Sequence, residues 1–276
     1  CHVGAGSAMP NNRLYALTPG DGVGPAINGV NTDAVVVVYS DAAFYPATNG
    51  IDQSKFQALN IGATSVTIQV DNTINPALDN PVNGISAGDV LQVCNANGCV
   101  AGVVTKVNGP GGTITFDNKD PLGFNQTGAA GGNFGSLGIT NPGVGACPAA
   151  GKIVCPGSSI TRLTMVTYFI DNTTDPANPR LMRQLGAHTP TPVAEDIENL
   201  QFSYDVFNTV SGVATANLPD AGLSQVPQIT PNQIRVINVS VSARSARQGL
   251  LRPGFDRLTV ATSIGPRNLS YTDRYQ

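Results

Sequence analysis

Leu200-Gln201-Phe202-Ser203-Tyr204-Asp205-Val206 carries an apolar side chain at every second position and a polar one between. Successive side chains of a strand point to opposite faces, so this stretch reads as a strand with one dry and one wet face. Ile237, Val239, Val241 and Ala243 alternate with Asn238, Ser240, Ser242 and Arg244 in the same way, inside the longest strand candidate of the chain, Ile234 to Arg244. Working outward, the block from Ile160 to Arg247 adds strands at Leu163–Ile170 and Arg180–Leu185. Between them fall a polar turn (Asp171–Pro179), a Pro-broken link and a short acidic turn (Glu195–Asn199). The block predicts a half-buried antiparallel sheet of the kind found in extracellular modules.

Composition narrows the setting. At 276 residues the chain is long enough for one large β domain or two smaller ones. Only 12% of residues are charged, about half the usual share, and Glu occurs only at Glu195 and Glu198. A net charge of −3 with no basic run gives no electrostatic support for binding a polyanion, so no nucleic acid is expected as a partner. The 31 Gly and 20 Pro fit a loop-rich β protein. No apolar run approaches the roughly 20 residues that cross a bilayer.

Residues 1–32 read as coil around one apolar patch, Leu14–Leu17, and Asp33–Asp41 as a central strand covered on both faces, because Val35–Val38 are continuously β-branched. Four short runs, in which Val66, Ile68 and Val70 alternate with Thr67 and Gln69 and which continue at Asp89–Val93, Val100–Val107 and Thr113–Phe116, predict an inserted β subdomain of meander or barrel type. From Asp120 to Ser159 Gly, Asn, Pro and Ala predominate, and a long loop is expected. No helix of normal length is expected anywhere; Pro192–Asn199 has room for a turn or two. The resulting partition is 1–63 (coil and first strand), 64–118 (inserted subdomain), 119–159 (stapled loop) and 160–276 (main sheet).

Of the five cysteines, Cys94 and Cys99 flank an Asn-Gly turn between two strand-like runs, so a disulfide across that hairpin is the leading reading. Cys147 and Cys155 bracket a Pro/Ala/Gly loop and are expected to form a second; buried, reduced thiols are the alternative in both cases. Cys1 is left over, as a free, modified or interchain thiol. Neither spacing is a zinc knuckle, and His2 and His188 have no paired ligand. Gly84-Ile-Ser86-Ala-Gly88 matches the nucleophile elbow of serine hydrolases. That motif requires a strand before and a helix after, whereas a strand-like run follows here, so a plain Ser/Gly turn is preferred. No phosphate-binding loop, dinucleotide fingerprint or haem site is present, and no catalytic residue or cofactor is assigned. Glu195 and Glu198 are expected to face water or cap their turn. Asp171, Asn172, Thr173 and Asp175 supply hard oxygens that admit calcium, although an Asx-type turn explains the same residues. Phe202, Tyr204, Tyr168 and Phe169 are expected in the core.

The pattern from Thr167 onward resembles the C-terminal half of PilW-type minor pilins and, more distantly, the J-type pseudopilins of type II secretion. Val193, Glu195, Ile197, Glu198, Leu200, Phe202 and Tyr204 fit the family's "V-x-E-x-I-E-x-L-x-F-x-Y" segment. Ile234, Arg235, Ser240, Val241, Arg244 and Ser245 fit its "I-R-x-V-x-V-S-V-x-A-R-S" strand, and Thr262–Tyr275 is similar to the end of such proteins. The likeness covers roughly Ile160 to Gln276. It implies a mainly β, pilin-like antiparallel sheet with an inserted subdomain, whose dry face packs on an N-terminal helix absent from this chain. A truncation or processing boundary, a helix carried on a separate chain, or a lipid on Cys1 would each account for that absence. The implied function is a non-catalytic subunit of a type IV pilus or related filament, in assembly priming or at the tip. Its partners would be other pilins or minor pilins. It would stand at the bacterial cell surface and, before assembly, at the inner membrane, held there only through the missing helix or a lipid on Cys1. The alternatives are an adhesin or ligand-binding module at the tip, using the inserted subdomain or the long loop, and a pseudopilin of type II secretion.

Overall fold

Apolar residues recurring at every second position, or running without interruption between turns, produce strands throughout, and the computed structural model is mainly β. It describes residues 1–4, 7, 9, 12–45, 47, 50–52, 54–95, 98–125, 133–137, 158–208, 211–219, 230–248 and 254–266. Among these are two short 3-10 turns, Phe134–Leu137 and Pro231–Gln233, and no α-helix. The chain forms two compact units. One comprises Cys1–Leu14, Val38–Met165 and Leu185–His188; the other comprises Tyr15–Val37, Val166–Gln184 and Thr189–Gln276.

The first unit contains the antiparallel sheet β5-β6-β10-β9, made of Phe56–Ile61, Ser65–Val70, Thr113–Asp117 and Lys106–Asn108 respectively. Val66, Ile68 and Val70 of β6 are wholly buried and alternate with half-buried Thr67 and Gln69, as their sequence predicts. Ile114 and Phe116 of β10 join them, and Phe116 meets Phe134 with ring centroids 4.9 Å apart. A separate hairpin, β7 (Val90–Asn95) and β8 (Gly98–Val103), pairs Val90 with Val103 and Cys94 with Cys99. The far side of β7 pairs with the first part of β11 (Ser159–Asp171), from Ser159 opposite Cys94 to Leu163 opposite Val90. The runs expected between Thr64 and Phe116 contain strands, but Val100–Val107 is broken at Val104–Thr105, and the strands belong to two sheets rather than one meander or barrel. The reason is visible in β8: Val100, Ala101 and Val103 are all buried, so both of its faces need covering.

Part of the expected long loop also belongs to this core. The Asp120 carboxylate accepts the backbone N–H groups of Leu122, Phe124 and Asn125, folding a tight turn. That turn delivers wholly buried Phe124 and an Asn125 that is 1% exposed. Asn125 stands in for a strand partner: its Oδ1 accepts Val103 N–H at 2.8 Å, and its Nδ2 donates to the carbonyls of Val103 and Asp117.

In the second unit β1 (Leu17–Gly20) pairs with β4 (Ala34–Ser40), Leu17 opposite Val37. Residues 1–32 are thus more than coil. Between β1 and β4, Asn28 and Gly29 (φ 51° and 82°) turn a small hairpin, β2 (Ala26–Ile27) and β3 (Val30–Asn31), with the left-handed backbone such a turn requires. The sheet order runs β1-β4-β11-β12-β13, with β12 at Arg180–Leu185 and β13 at Thr191–Ala194. β4 is interior in that order, as expected, yet only Val35 of its valines is fully buried. A second sheet has the order β15-β14-β16-β17: Val213–Leu218, Ile197–Asn208, Ile234–Gln248 and Phe255–Ile264. β14 and β16 extend the two strands that opened the sequence reading, with Leu200, Phe202 and Tyr204 opposite Val241, Val239 and Ile237. The acidic turn ends sooner than expected, since β14 begins at Ile197. The cores of this unit form around Leu17, Val35, Tyr204 and Ile234, and around Ile170, Ile197 and Leu200.

Candidate functional site

The dry face of β14, β16 and β17 changes from core to surface across three strands. The register aligns Leu200, Phe202 and Tyr204 of β14 with Val241, Val239 and Ile237 of β16, and these with Val260, Thr262 and Ile264 of β17. Leu200 and Tyr204 are buried, and the β16 residues are half-buried. On β17 Leu258, Val260 and Ile264 are 66%, 56% and 50% exposed. Fully burying an aliphatic side chain from full exposure gains about 1.5–3 kcal/mol, so the bare end of the face leaves part of that gain unrealised at each of the three. Among the described residues β17 is also the end of its sheet, with no ladder partner on its outer side. The sequence reading missed β17, although Leu258, Val260 and Ile264 alternate with Arg257, Thr259 and Ser263 at strand period.

On the wet face Arg244 lies directly opposite Arg257 across the β16–β17 ladder. Like charges so placed repel, and one carboxylate resolves the conflict. Arg257 Nε donates to Glu198 Oε2 at 2.6 Å, its Nη2 reaches Oε1 at 3.3 Å, and Arg244 Nη1 lies 3.6 Å from the same Oε1. Arg244 also bonds Asp196 at 3.3 Å, donates to the Ala177 carbonyl and lies over the Phe255 ring at 4.3 Å. The Arg257 hydrogen bond outweighs desolvation and holds the Glu198 carboxyl below its usual range. Glu195 is exposed, as expected; Glu198 is buried and ion-paired with Arg257, which corrects the expectation that both face water or cap their turn.

Deeper in the same unit, the Asp33 carboxylate accepts Gly22 N–H at 2.8 Å and Phe202 N–H at 2.7 Å, tying the β1–β2 connection to β14. Burial pushes its pKa up despite those two bonds.

In the first unit polar groups gather at the start of β11. Arg162 Nε and Nη2 bind Asp41 Oδ2 at 2.8 and 2.7 Å, and Nη1 donates to the Gly84 carbonyl. Arg162 also lies over the Phe44 ring at 5.1 Å. Nearby, His188 Nε2 is 2.9 Å from Asp89 Oδ1, while Asp89 Oδ2 accepts Ser86 N–H at 2.9 Å. A cavity of about 200 Å³ lies among Asp41, Asp89, Arg162 and His188. The fold thus brings Ser86, Asp89 and His188 into one neighbourhood. However, Ser86 is exposed in the turn before β7, meets Asp89 through its backbone, and makes no hydroxyl hydrogen bond among the described residues. A nucleophile needs its hydroxyl held by a base, and that contact is not formed here.

The other sequence candidates are placed as follows. Cys94 and Cys99 are joined by a disulfide at the tip of the β7–β8 hairpin. Cys147 and Cys155 lie outside the described residues. The Cys1 sulfur accepts Gln92 Nε2 at 2.9 Å. The oxygens of Asp171 are occupied by Thr173, Thr174 and Arg180, and those of Asp175 by Ala177 N–H and Asn178, which is the Asx-type arrangement. Among the described residues no group of three acidic, His or Cys side chains converges on a metal-sized site. Searches against protein-family models, curated proteins and solved structures return no match.

Proposed function

We propose that this chain is a non-catalytic structural subunit, a PilW-like minor pilin, of a type IV pilus or related filament, acting in assembly priming or at the tip. The observation that carries the reading is the uncovered apolar row Leu258, Val260 and Ile264, continuous with the half-buried row of β16. A pilin-like sheet lays this kind of face on an apolar helix, and an uncharged aliphatic strip fits a helix of that character. The residues that bear the two quoted segments lie on β13, β14 and β16, apart from Glu195 between β13 and β14, so two of the three strands of the face carry them. Its partners are then other pilins or minor pilins of the same filament. Its place is the bacterial cell surface, with the inner membrane as its station before assembly.

The test is a photo-reactive amino acid at position 260, on the dry face, compared with one at position 240, on the wet face, in the bacterium that produces the protein. Position 260 is expected to crosslink to the apolar helix of a filament subunit and position 240 is not. Equal labelling from both positions, or crosslinks from position 260 to soluble proteins alone, would overturn the reading.

A further inference from the structure

The wet side of the same sheet holds a depression of about 500 Å³ whose lining includes Gln201, Ser203, Asn217, Asn238, Ser240 and Ser263 and contains no charged side chain. Its polar groups are fixed by one another. Asn238 Nδ2 donates to Asp205 Oδ1 at 3.1 Å and to Asn217 Oδ1 at 3.2 Å, and Asn238 Oδ1 accepts Ser263 Oγ at 2.7 Å. Asp205 Oδ1 also accepts Asn217 N–H at 2.9 Å, so this carboxylate positions both amides from beside the depression. Gln201 is held by Nε2, which donates to the Asn31 carbonyl at 2.8 Å. Three capacities stay open among the described residues: the Asn217 Nδ2 donor, the Gln201 Oε1 acceptor, and the Ser240 hydroxyl, which is both.

Asn217 is brought there by a distortion. The β14–β15 register slips between Tyr204 and Val206, and Asn217 takes φ 53° in the left-handed region. Bulges of this kind re-aim a side chain, and a non-glycine residue in that conformation costs energy that a plain strand would not spend.

From this geometry we infer that the wet face of β15-β14-β16-β17 binds a neutral polyhydroxylated ligand, a glycan. The chemistry selects the class. With no Lys or Arg in the lining, phosphates and sulfates find no counter-charge. Amides and hydroxyls share the lining with Phe202, Val239 and Ala261, and a wholly apolar ligand would strand those polar groups unpaired. Sugar hydroxyls both donate and accept, which matches an open donor, an open acceptor and a hydroxyl on one rigid surface. Pre-formed networks reduce the ordering cost of binding. The one aromatic of the lining, Phe202, is half-buried and offers no open stacking platform, so weak binding, with a Kd on the order of millimolar, is expected. The inference does not rest on filament membership, since the depression lies on the face opposite the apolar row.

The experiment titrates the full chain with methyl glucoside, methyl galactoside, N-acetylglucosamine, maltose and lactose, following backbone amide shifts. Saturable shifts centred on Asn217, Asn238 and Ser240 are expected with at least one of these sugars. Asn217→Gly keeps the left-handed backbone and removes the amide, and Ser240→Val keeps strand propensity and removes the hydroxyl. Each should weaken binding by about tenfold while melting with the parent, since a hydrogen bond of about 1.4 kcal/mol corresponds to that factor. No shift at these amides with any of the five sugars, binding that survives both variants, or binding confined to anionic sugars would each overturn the inference.

Discussion

Glu198→Gln removes the charge that keeps Arg244 and Arg257 compatible, and its cost follows from the surroundings of each arginine. Glu198 has 7% side-chain exposure and cannot be replaced there by water. Breaking a buried ion pair by deleting one partner costs about 3–5 kcal/mol, and a charge-assisted hydrogen bond is worth about 1.5–3. Two features lower that figure. The Arg257 side chain is 53% exposed and can turn to solvent, and Arg244 keeps Asp196 and the Phe255 ring. The expected loss is therefore about 2 kcal/mol, or a fall in Tm of roughly 4–8 °C for a chain of this length. A carboxylate whose folded pKa lies below its unfolded value holds stability that is present above the unfolded value and lost as pH falls through the folded one. The pKa of Glu198 is lowered in this way, chiefly by the Arg257 hydrogen bond. The gap between parent and variant should stay constant from pH 7 to about 5 and close at more acid pH. Thermal denaturation followed by circular dichroism across that range reads it directly. Equal melting at pH 7, or a gap that persists at pH 2, would refute the idea that Glu198 resolves the opposition of the two arginines.

Two further outcomes follow from the first unit. Asn125→Ala leaves the N–H and carbonyl of Val103 and the carbonyl of Asp117 without that partner in a closed core, and should cost about 3 kcal/mol by urea denaturation. Replacing both Cys94 and Cys99 by Ser should cost only about 2 kcal/mol, because the bridge spans a sequence separation of 5 and closes a short loop. The same double substitution should leave the Asn125-dependent loss unchanged, since sites that share no partner are additive.

The strands that could be read from sequence were those whose alternation is strict and local. Leu200–Val206 and Ile234–Arg244 are of this type, and the structure extends each of them without reversing a face. β1 could not be read because Leu17-Thr18-Pro19-Gly20 has the composition of a turn; it is a strand because β4 pairs with it. Pro192 looked like a break, yet it sits in β13, the last strand of its sheet order, where a missing N–H costs little. β15 was hidden by Asn217, whose left-handed backbone breaks the period. Sheet membership of β7 and β8 depends on β11, about 65 residues later, and no local pattern encodes that distance. Of the site, the alternation on β14 and β16 announced a dry face. The ion pairs did not show, because Glu198 and Arg257 are 59 positions apart, and a lone Glu beside a turn looks solvated.

The bare ribbon at β17 has a consequence for the molecule on its own. Leu258, Val260 and Ile264, exposed with Thr262 on a strand whose outer edge has no ladder partner among the described residues, invite self-association as concentration rises. Kept in isolation, such a protein is prone to clumping unless something masks the strand.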